Sequence, residues 1–584
     1  MMLHRHSAMI HSDRLSRRAF LQGAGSALLP ILSGCASDPA YKVYPSDPDR
    51  PPEIDVHSHI FNVHDLPIYN FLTKVELSGE LGKWLSPAAL FIVSMVTSRA
   101  PTGEMEEKQL KLMRLSGSSV GTDDPRRDPV QMFVEGVNRF IDEHIESQPR
   151  GLLARDNNLE FLRFLYQYPR FPPQNGLLLD AEAELAYYRI NAARIATQAG
   201  TNRHPRVTSR LSLPTWDEVV NFIKSWAPLW SKYRYRLASQ LENVAGPNEP
   251  IRFVAPAILD SGNWLPDDPG YKSPPSTSLA QQARIMRLIS LVQPPGVAVH
   301  GYIGFDPLRY IKDQQQGNSQ DALAIVRAAV ETQGFVGVKV YPPMGFRAIG
   351  NADLGDDCFP PHVRMKHLGV LLDRALTELY SYCVDNDVPI LTHCSHSQGP
   401  DDRAMQRAHP RYWRRLLDIP KFRSLRLNLG HAGGIFDYDK PTDSNVWTNE
   451  VADMLGRYPN LYADVSDLAI VTATSGKDKA QKDAILANVS KLPDCAKARL
   501  MYGTDWLLMG RYGEAGTYRD AMRTAMGPVL GADLDNFFSG NAAAFLGLSD
   551  DKGTRGRLKA FYKANSKNDS ILDKFYHPRI ASLT

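Results

Sequence analysis

The sequence predicts a (β/α)8 barrel, a TIM-type fold, with a large helical insertion between its first and second strands. Three observations predict it. Ile54-Asp55-Val56-His57-Ser58-His59-Ile60 alternates apolar and polar residues, as a strand entering a core does. From Ile251 onward, short Val/Ile/Leu-rich runs alternate with helical stretches, the pattern of a parallel sheet. Those runs are Phe253–Leu259, Val297–Phe305, Phe335–Tyr341, Pro389–Cys394, Leu425–Leu429, Leu461–Val465 and Leu500–Gly503, which with the first strand make eight.

The chain has 584 residues, more than one ordinary domain, so a barrel with large additions is expected. Its 67 basic and 64 acidic residues leave a net charge of +3, which gives no support to nucleic-acid binding. The five cysteines include no C-x-x-C pair, and a disulfide framework is not expected.

Residues 1–35 read as a leader. Ser16-Arg17-Arg18-Ala19-Phe20-Leu21 resembles a twin-arginine export signal, and Leu32-Ser33-Gly34-Cys35 resembles a lipobox. Together they predict an exported bacterial lipoprotein, periplasm-facing and membrane-anchored through a lipidated Cys35. Residues 36–50, rich in Pro, Ser and Asp, read as a linker. Residues 51–64 hold the first strand. Residues 65–248 are expected to form the helical insertion: Phe133, Val137, Phe140, Ile141 and Ile145 fall at helical spacing, and Thr215-Trp216-Asp217-Glu218 is a capping-box pattern. Ala88–Val96 is apolar but too short for a membrane span. Residues 249–548 carry the remaining strands, with helices expected at Ala322–Thr332, Leu368–Asp385 and Ser444–Tyr458, and residues 549–584 a C-terminal tail.

Barrels of this kind keep their chemistry at the C-terminal ends of the strands. Side chains two apart on a strand share a face, so Asp55, His57 and His59 point together. Two such imidazoles can chelate one metal ion, or be hydrogen-bonded core residues. Further strand ends give Lys339 in Gly337-Val338-Lys339-Val340-Tyr341, His393 in Leu391-Thr392-His393, His431 in Gly430-His431-Ala432-Gly433-Gly434, and Asp505 in Gly503-Thr504-Asp505.

In this order and spacing the motifs are similar to those of the amidohydrolase superfamily, in its branch of metal-dependent hydrolases, lactonases and decarboxylases. Ser539-Gly540-Asn541-Ala542-Ala543 resembles that family's closing helix. The resemblance implies a divalent ion, expected as one zinc, on His57, His59, His393 and Asp505. Asp505 would also move a proton, and His431 would hold water or polarise a carbonyl. Lys339 has two readings under it: a carboxylated bridge between two metals, or an ammonium that meets a substrate carboxylate. Tyr341, Arg347, Asp306 and Asp464 are softer pocket candidates. Cys394 follows His393 directly and therefore faces the other side of its strand. The expected activity is metal-dependent hydrolysis of an amide, ester or lactone in a small molecule. The alternatives are a decarboxylase on the same site and a non-catalytic binding lipoprotein. Oligomeric state has no sequence signal.

The leader makes a first prediction. Replacing Arg17 and Arg18 together by Lys should block export, and Cys35→Ala should abolish lipid attachment, read by mass spectrometry of the mature N-terminus. A wild-type protein that is exported without lipid would refute the anchor.

Overall fold

The computed structural model describes residues 52–67, 70–71, 100–116, 229–230, 232–245, 251–265, 277–293, 297–396, 403–439, 447–506, 515–549, 551–573 and 575. The leader with Cys35, the linker, and the expected helices around Phe133 and Thr215 lie outside the described residues. Within the described residues, no helix is long and apolar enough to cross a membrane.

Among the described residues, nine strands form two parallel sheets. The first orders β1 (Ile54–Ser58), β2 (Phe253–Pro256) and β3 (Ala298–Val299). The second orders β4 (Tyr302–Gly304), β5 (Gly337–Val340), β6 (Ile390–His393), β7 (Leu427–Gly430), β8 (Leu461–Asp464) and β9 (Leu500–Met501). Every pairing is parallel. Each expected apolar run carries a strand, but Val297–Phe305 carries two, β3 and β4, parted at His300-Gly301. At the break the His300 amide donates back to Val254 O at 3.0 Å, and Gly301 O accepts from Val336 N at 3.0 Å.

Backbone hydrogen bonds also run between the sheets. Ile258 N donates to Tyr302 O at 3.0 Å, beside a parallel bridge between Ala257 and Tyr302. On the other flank Val56 N donates to Tyr502 O at 3.2 Å and Asp505 N to His57 O at 2.8 Å. The first strand thus meets the segment that follows the last.

Helices Ala322–Thr332 and Leu368–Asp385 have the bounds that their apolar spacing predicts, and the third expected helix spans Thr448–Arg457. Asp321 caps the first of these, accepting from Ala324 N at 2.7 Å. The segment expected as a tail is packed structure. Helices Gly553–Ala564 and Ser570–Asp573 seat Leu558, Phe561, Tyr562 and Leu572, with Phe575, in one core cluster with Ile54, Val56 and Phe253. Each fully buried Leu or Phe is worth about 1.5–3 kcal/mol, which explains why this segment is not loose.

Two described helices, Gly103–Ser116 and Arg234–Ala245, lie between β1 and β2 in sequence. They meet the segment behind β1 through one buried cation. Arg234 donates to both carboxylate oxygens of Asp65, to Glu106, to Asn62 Oδ1 at 3.2 Å and to Thr277 Oγ1 at 3.1 Å. Glu106 is fully buried, and its Oε1 accepts from Tyr235 N at 3.1 Å. Val63 N donates to Trp230 O at 3.0 Å and Asn62 Nδ2 to Pro101 O at 2.9 Å. Losing one partner of a buried ion cluster leaves charge without compensation, at a cost of about 3–5 kcal/mol. Arg234→Leu should therefore destabilise the fold by about that much in denaturant unfolding, while Arg374→Leu, at an exposed surface pair, should change it by less than about 1 kcal/mol. Equal losses in the two variants would refute the clamp.

Candidate metal centre

The alternation expected in β1 is present. Ile54 and Val56 join the apolar cluster, while Asp55 and His57 are turned to the polar side. The fully buried His57 ring has room because two neighbours lack side chains. A Cβ on Gly430 would lie 3.0 Å from His57 Cε1, and one on Gly503 would lie 3.0 Å from His57 Cβ. Asp55 fastens β1 to the segment carrying Asp505: it accepts from Thr504 N at 3.0 Å, Thr504 Oγ1 at 2.6 Å and His57 N at 3.2 Å.

His431 (φ 64°) and Asp505 (φ 50°) both hold left-handed backbone without being glycine. Such positions cost roughly 1–3 kcal/mol and persist where surroundings over-determine them. Here the fixing bonds are His431 N to Asp464 Oδ1 at 3.1 Å and Asp505 N to His57 O at 2.8 Å.

The ring nitrogens can be assigned by their partners. His57 Nδ1 lies 3.0 Å from the Asp464 carboxylate, and His59 Nδ1 lies 2.9 Å from Ala257 O. Both partners only accept, so both Nδ1 atoms donate and both Nε2 atoms keep a lone pair. Those lone pairs converge on Asp505 Oδ1, from His59 at 3.2 Å and from His57 at 3.7 Å. The three ligand atoms lie within 4.8 Å of one another and are buried. Asp505 Oδ1 finds no hydrogen-bond donor among the described residues. Three converging buried acceptors with an orphaned oxygen fit a cation, and neutral imidazoles with a carboxylate suit a zinc-like ion.

A second group, His57, His431 and Asp464, is equally close but does not fit an ion. The Asp464 carboxylate already receives His57 Nδ1, Asn428 Nδ2 at 2.8 Å, His431 N, Ser466 N at 3.2 Å and Ser466 Oγ at 2.5 Å. It has no acceptor position to offer. Asp464, expected to line a pocket, is instead a fully buried brace behind His57.

The remaining candidates separate. His393 meets the His431 ring edge-on, with ring centres 4.6 Å apart, but its Nε2 is engaged by Ser395 Oγ at 2.9 Å and it belongs to neither group. Lys339 is buried, with Nζ 2.9 Å from His57 Nε2, the face that converges on Asp505. The Tyr341 ring lies 4.7 Å from His393 and 5.9 Å from Lys339 Nζ. Asp306 is not at a pocket surface: it caps helix Pro307–Gln315 through Leu308 N and accepts from Trp264 Nε1 at 2.8 Å. Arg347 stacks on Tyr412 at 4.6 Å and donates to Gly350 O. Cys394 is fully buried, and burial pushes its thiol well up, which leaves it inert. Sequence reasoning missed the supporting roles of Asp55, Thr504, Asn428 and Ser466. The available signal was period two: Asp55 stands two before His57, and Ser466 two after Asp464.

Residues 315–548 match the amidohydrolase family model. The match takes in Lys339, His393, His431 and Asp505 and begins after the strand bearing His57 and His59. No curated protein matches the chain. Three of the solved structures to which the chain is similar are the following. One is an Agrobacterium tumefaciens protein in its apo state, at 16% identity, covering 51% of this chain and 80% of that one, with a TM-score of 0.27. Another is 2,6-dihydroxybenzoate decarboxylase with 2,6-dihydroxybenzoate bound, at 15% identity, 56% and 92% coverage and a TM-score of 0.32. The third, from Lactobacillus casei, is described as a metal-dependent hydrolase, at 17% identity, 58% and 81% coverage and a TM-score of 0.34. The family match and the His/Asp cluster support metal-dependent chemistry of the amidohydrolase type.

Burial sets the charge states around the cluster. It lowers the His57 imidazole to about 4, helped by Lys339 and opposed by Asp464 and Asp505. It lowers Lys339 to about 8 against the pull of Asp505 and Asp464. Burial would raise Asp464, but His57, His431 and Ser466 hold its carboxyl well below the usual range. Asp55 goes the other way: burial lifts it to about 7 despite its three donors.

These shifts have opposite consequences for metal-free protein. Below 6.5 the unfolded His57 takes a proton that the folded ring refuses until about 4, so stability falls as pH drops through that window. Asp55 keeps its proton in the fold up to about 7, and its contribution is lost as pH rises through that value. Chelator-treated wild type should therefore lose more stability between pH 6.5 and 4 than His57→Gln does, measured by denaturant unfolding. Parallel curves would contradict the neutral, buried His57.

Proposed function

We propose that this chain is a metal-dependent hydrolase of the amidohydrolase type, built on a closed (β/α)8 barrel, that opens an amide, ester or lactone in a small molecule. The observation that carries the reading is the convergence of two imidazole lone pairs and an orphaned carboxylate oxygen in one buried place. Closure of the barrel is supported by the bonds from Ile258 to Tyr302 and from Val56 to Tyr502.

His57, His59 and Asp505 would hold one ion, with zinc the expected metal, and His393 is the fourth candidate once released from Ser395. The ion would supply Lewis acidity, lowering the pKa of water and polarising a carbonyl. Asp505 has its second oxygen, Oδ2, turned to His431 Nε2 at 4.0 Å. That oxygen can take the proton of the attacking water and return it to the leaving group. Lys339 now shares the His57 Nε2 lone pair. When the lone pair goes to an ion, the amine is free to meet an anionic group of the substrate, which favours one metal over a carboxylated two-metal bridge.

Metal analysis tests the reading. Purified protein should carry about one zinc per chain, and His57→Ala or His59→Ala should lose it. In a screen of amides, esters and lactones, Asp505→Asn should lower turnover by about 10²–10⁴-fold. Lys339→Ala should keep the ion and weaken substrate binding. A stoichiometry near two that falls in Lys339→Ala would replace the one-metal site by a bridged pair. Carbon dioxide released from a carboxylic acid without water addition would make the enzyme a decarboxylase.

A further inference from the structure

Ser466 stands two residues beyond Asp464, just past the end of β8. Its hydroxyl lies at hydrogen-bond distance from three groups at once: Asp464 Oδ1 at 2.5 Å, His57 Nδ1 at 3.0 Å and His431 Nδ1 at 3.0 Å. It is fully buried. A hydroxyl has one proton to give and two positions that accept. Asp464 gathers donors from His57, Asn428, His431 and Ser466, the environment of an ionised carboxylate, which can only accept. The serine proton therefore goes to Asp464. Its two acceptor positions are left for the imidazoles, so both Nδ1 atoms must donate. The other neighbours agree: His57 Nδ1 also faces Asp464 Oδ2, and His431 Nδ1 faces Ser466 O at 3.3 Å, and both are acceptors.

We infer that Ser466 is a positioning residue that commits His431 to the Nδ1–H form that Asp464 already imposes on His57, so that both rings present an Nε2 lone pair toward Asp505. The inference rests on the metal-site reading and adds a division of labour to it. On His57 the lone pair faces the ion site. On His431 it can accept a hydrogen bond from water. An Nε2 that carries a lone pair cannot donate to a substrate carbonyl, so of the two roles expected for His431, holding water is the one that remains. The two histidines are also unequal. His57 keeps Asp464 as an Nδ1 partner without the serine, whereas His431 keeps only the longer contact to Ser466 O.

The test is long-range ¹H–¹⁵N NMR of full-length protein labelled with ¹⁵N-histidine, chelator-treated and zinc-loaded, alongside zinc affinity by chelator competition. His57 and His431 signals are assigned by their loss in His57→Gln and His431→Gln. In the parent both rings should show a protonated Nδ1 and an unprotonated Nε2. Ser466→Ala should leave His57 as it was, convert His431 to a mixture of forms, and keep zinc affinity close to the parent's. Asp464→Asn should weaken zinc binding by about 10–100-fold. A parent His431 protonated at Nε2, or a His431 ring unmoved by Ser466→Ala, would overturn the inference. A parent that binds no zinc yet shows the expected His431 form would overturn the metal reading and leave the serine's role standing.

Discussion

Everything at the ends of these strands answers to one electrostatic constraint. Burying two imidazole lone pairs against a carboxylate oxygen is unfavourable unless a positive charge or a proton donor is shared among them. Among the described residues, Lys339 is the cation that reaches this point, and it reaches only His57 Nε2. The neighbourhood is built to keep the acceptors facing one another all the same. Ala257 O and Asp464 take the far side of each ring, Asp55 ties the two backbones together, and two glycines give the His57 ring its space. An arrangement stabilised at such length, and incomplete by itself, is what a site for an ion requires.

Part of the fold and the candidates that the structure groups together could be read from the sequence, for local reasons. Period-two alternation placed Asp55, His57 and His59 on one face, and apolar runs with strand composition marked the parallel strands. What the sequence could not carry were contacts between distant segments. Asp464 ends β8, yet only the fold shows that its oxygens are spent on His57, Asn428, His431 and Ser466. Arg347 looked like a pocket cation because nothing nearby in the chain shows that it lies over Tyr412. Asp306 is different: an Asp directly before Pro307 is a legible helix-start signal, and the cap reading was there to be made. The break between β3 and β4 was hidden because His300-Gly301 interrupts the ladder without interrupting the apolar run.

The two described helices between β1 and β2 do more than lengthen that connection. Arg234 draws Asn62, Asp65, Glu106 and Thr277 into one buried polar knot, so both helices are joined to the residues that follow His59. The burial of Glu106 beside Asp65 raises its pKa, and Arg234 is the counter-charge that makes such crowding tolerable.

The bond from Thr504 to Asp55 joins residues 449 positions apart. The consequence is one of timing. Synthesis runs from His57 and His59 toward Asp505, so both histidines leave the ribosome well before the carboxylate that lies beside them. The three side chains can therefore come together only after β9, the last described strand, has been made. Until that moment β1 lacks its bonds to Tyr502 and Thr504, so two segments far apart in the chain settle into place together.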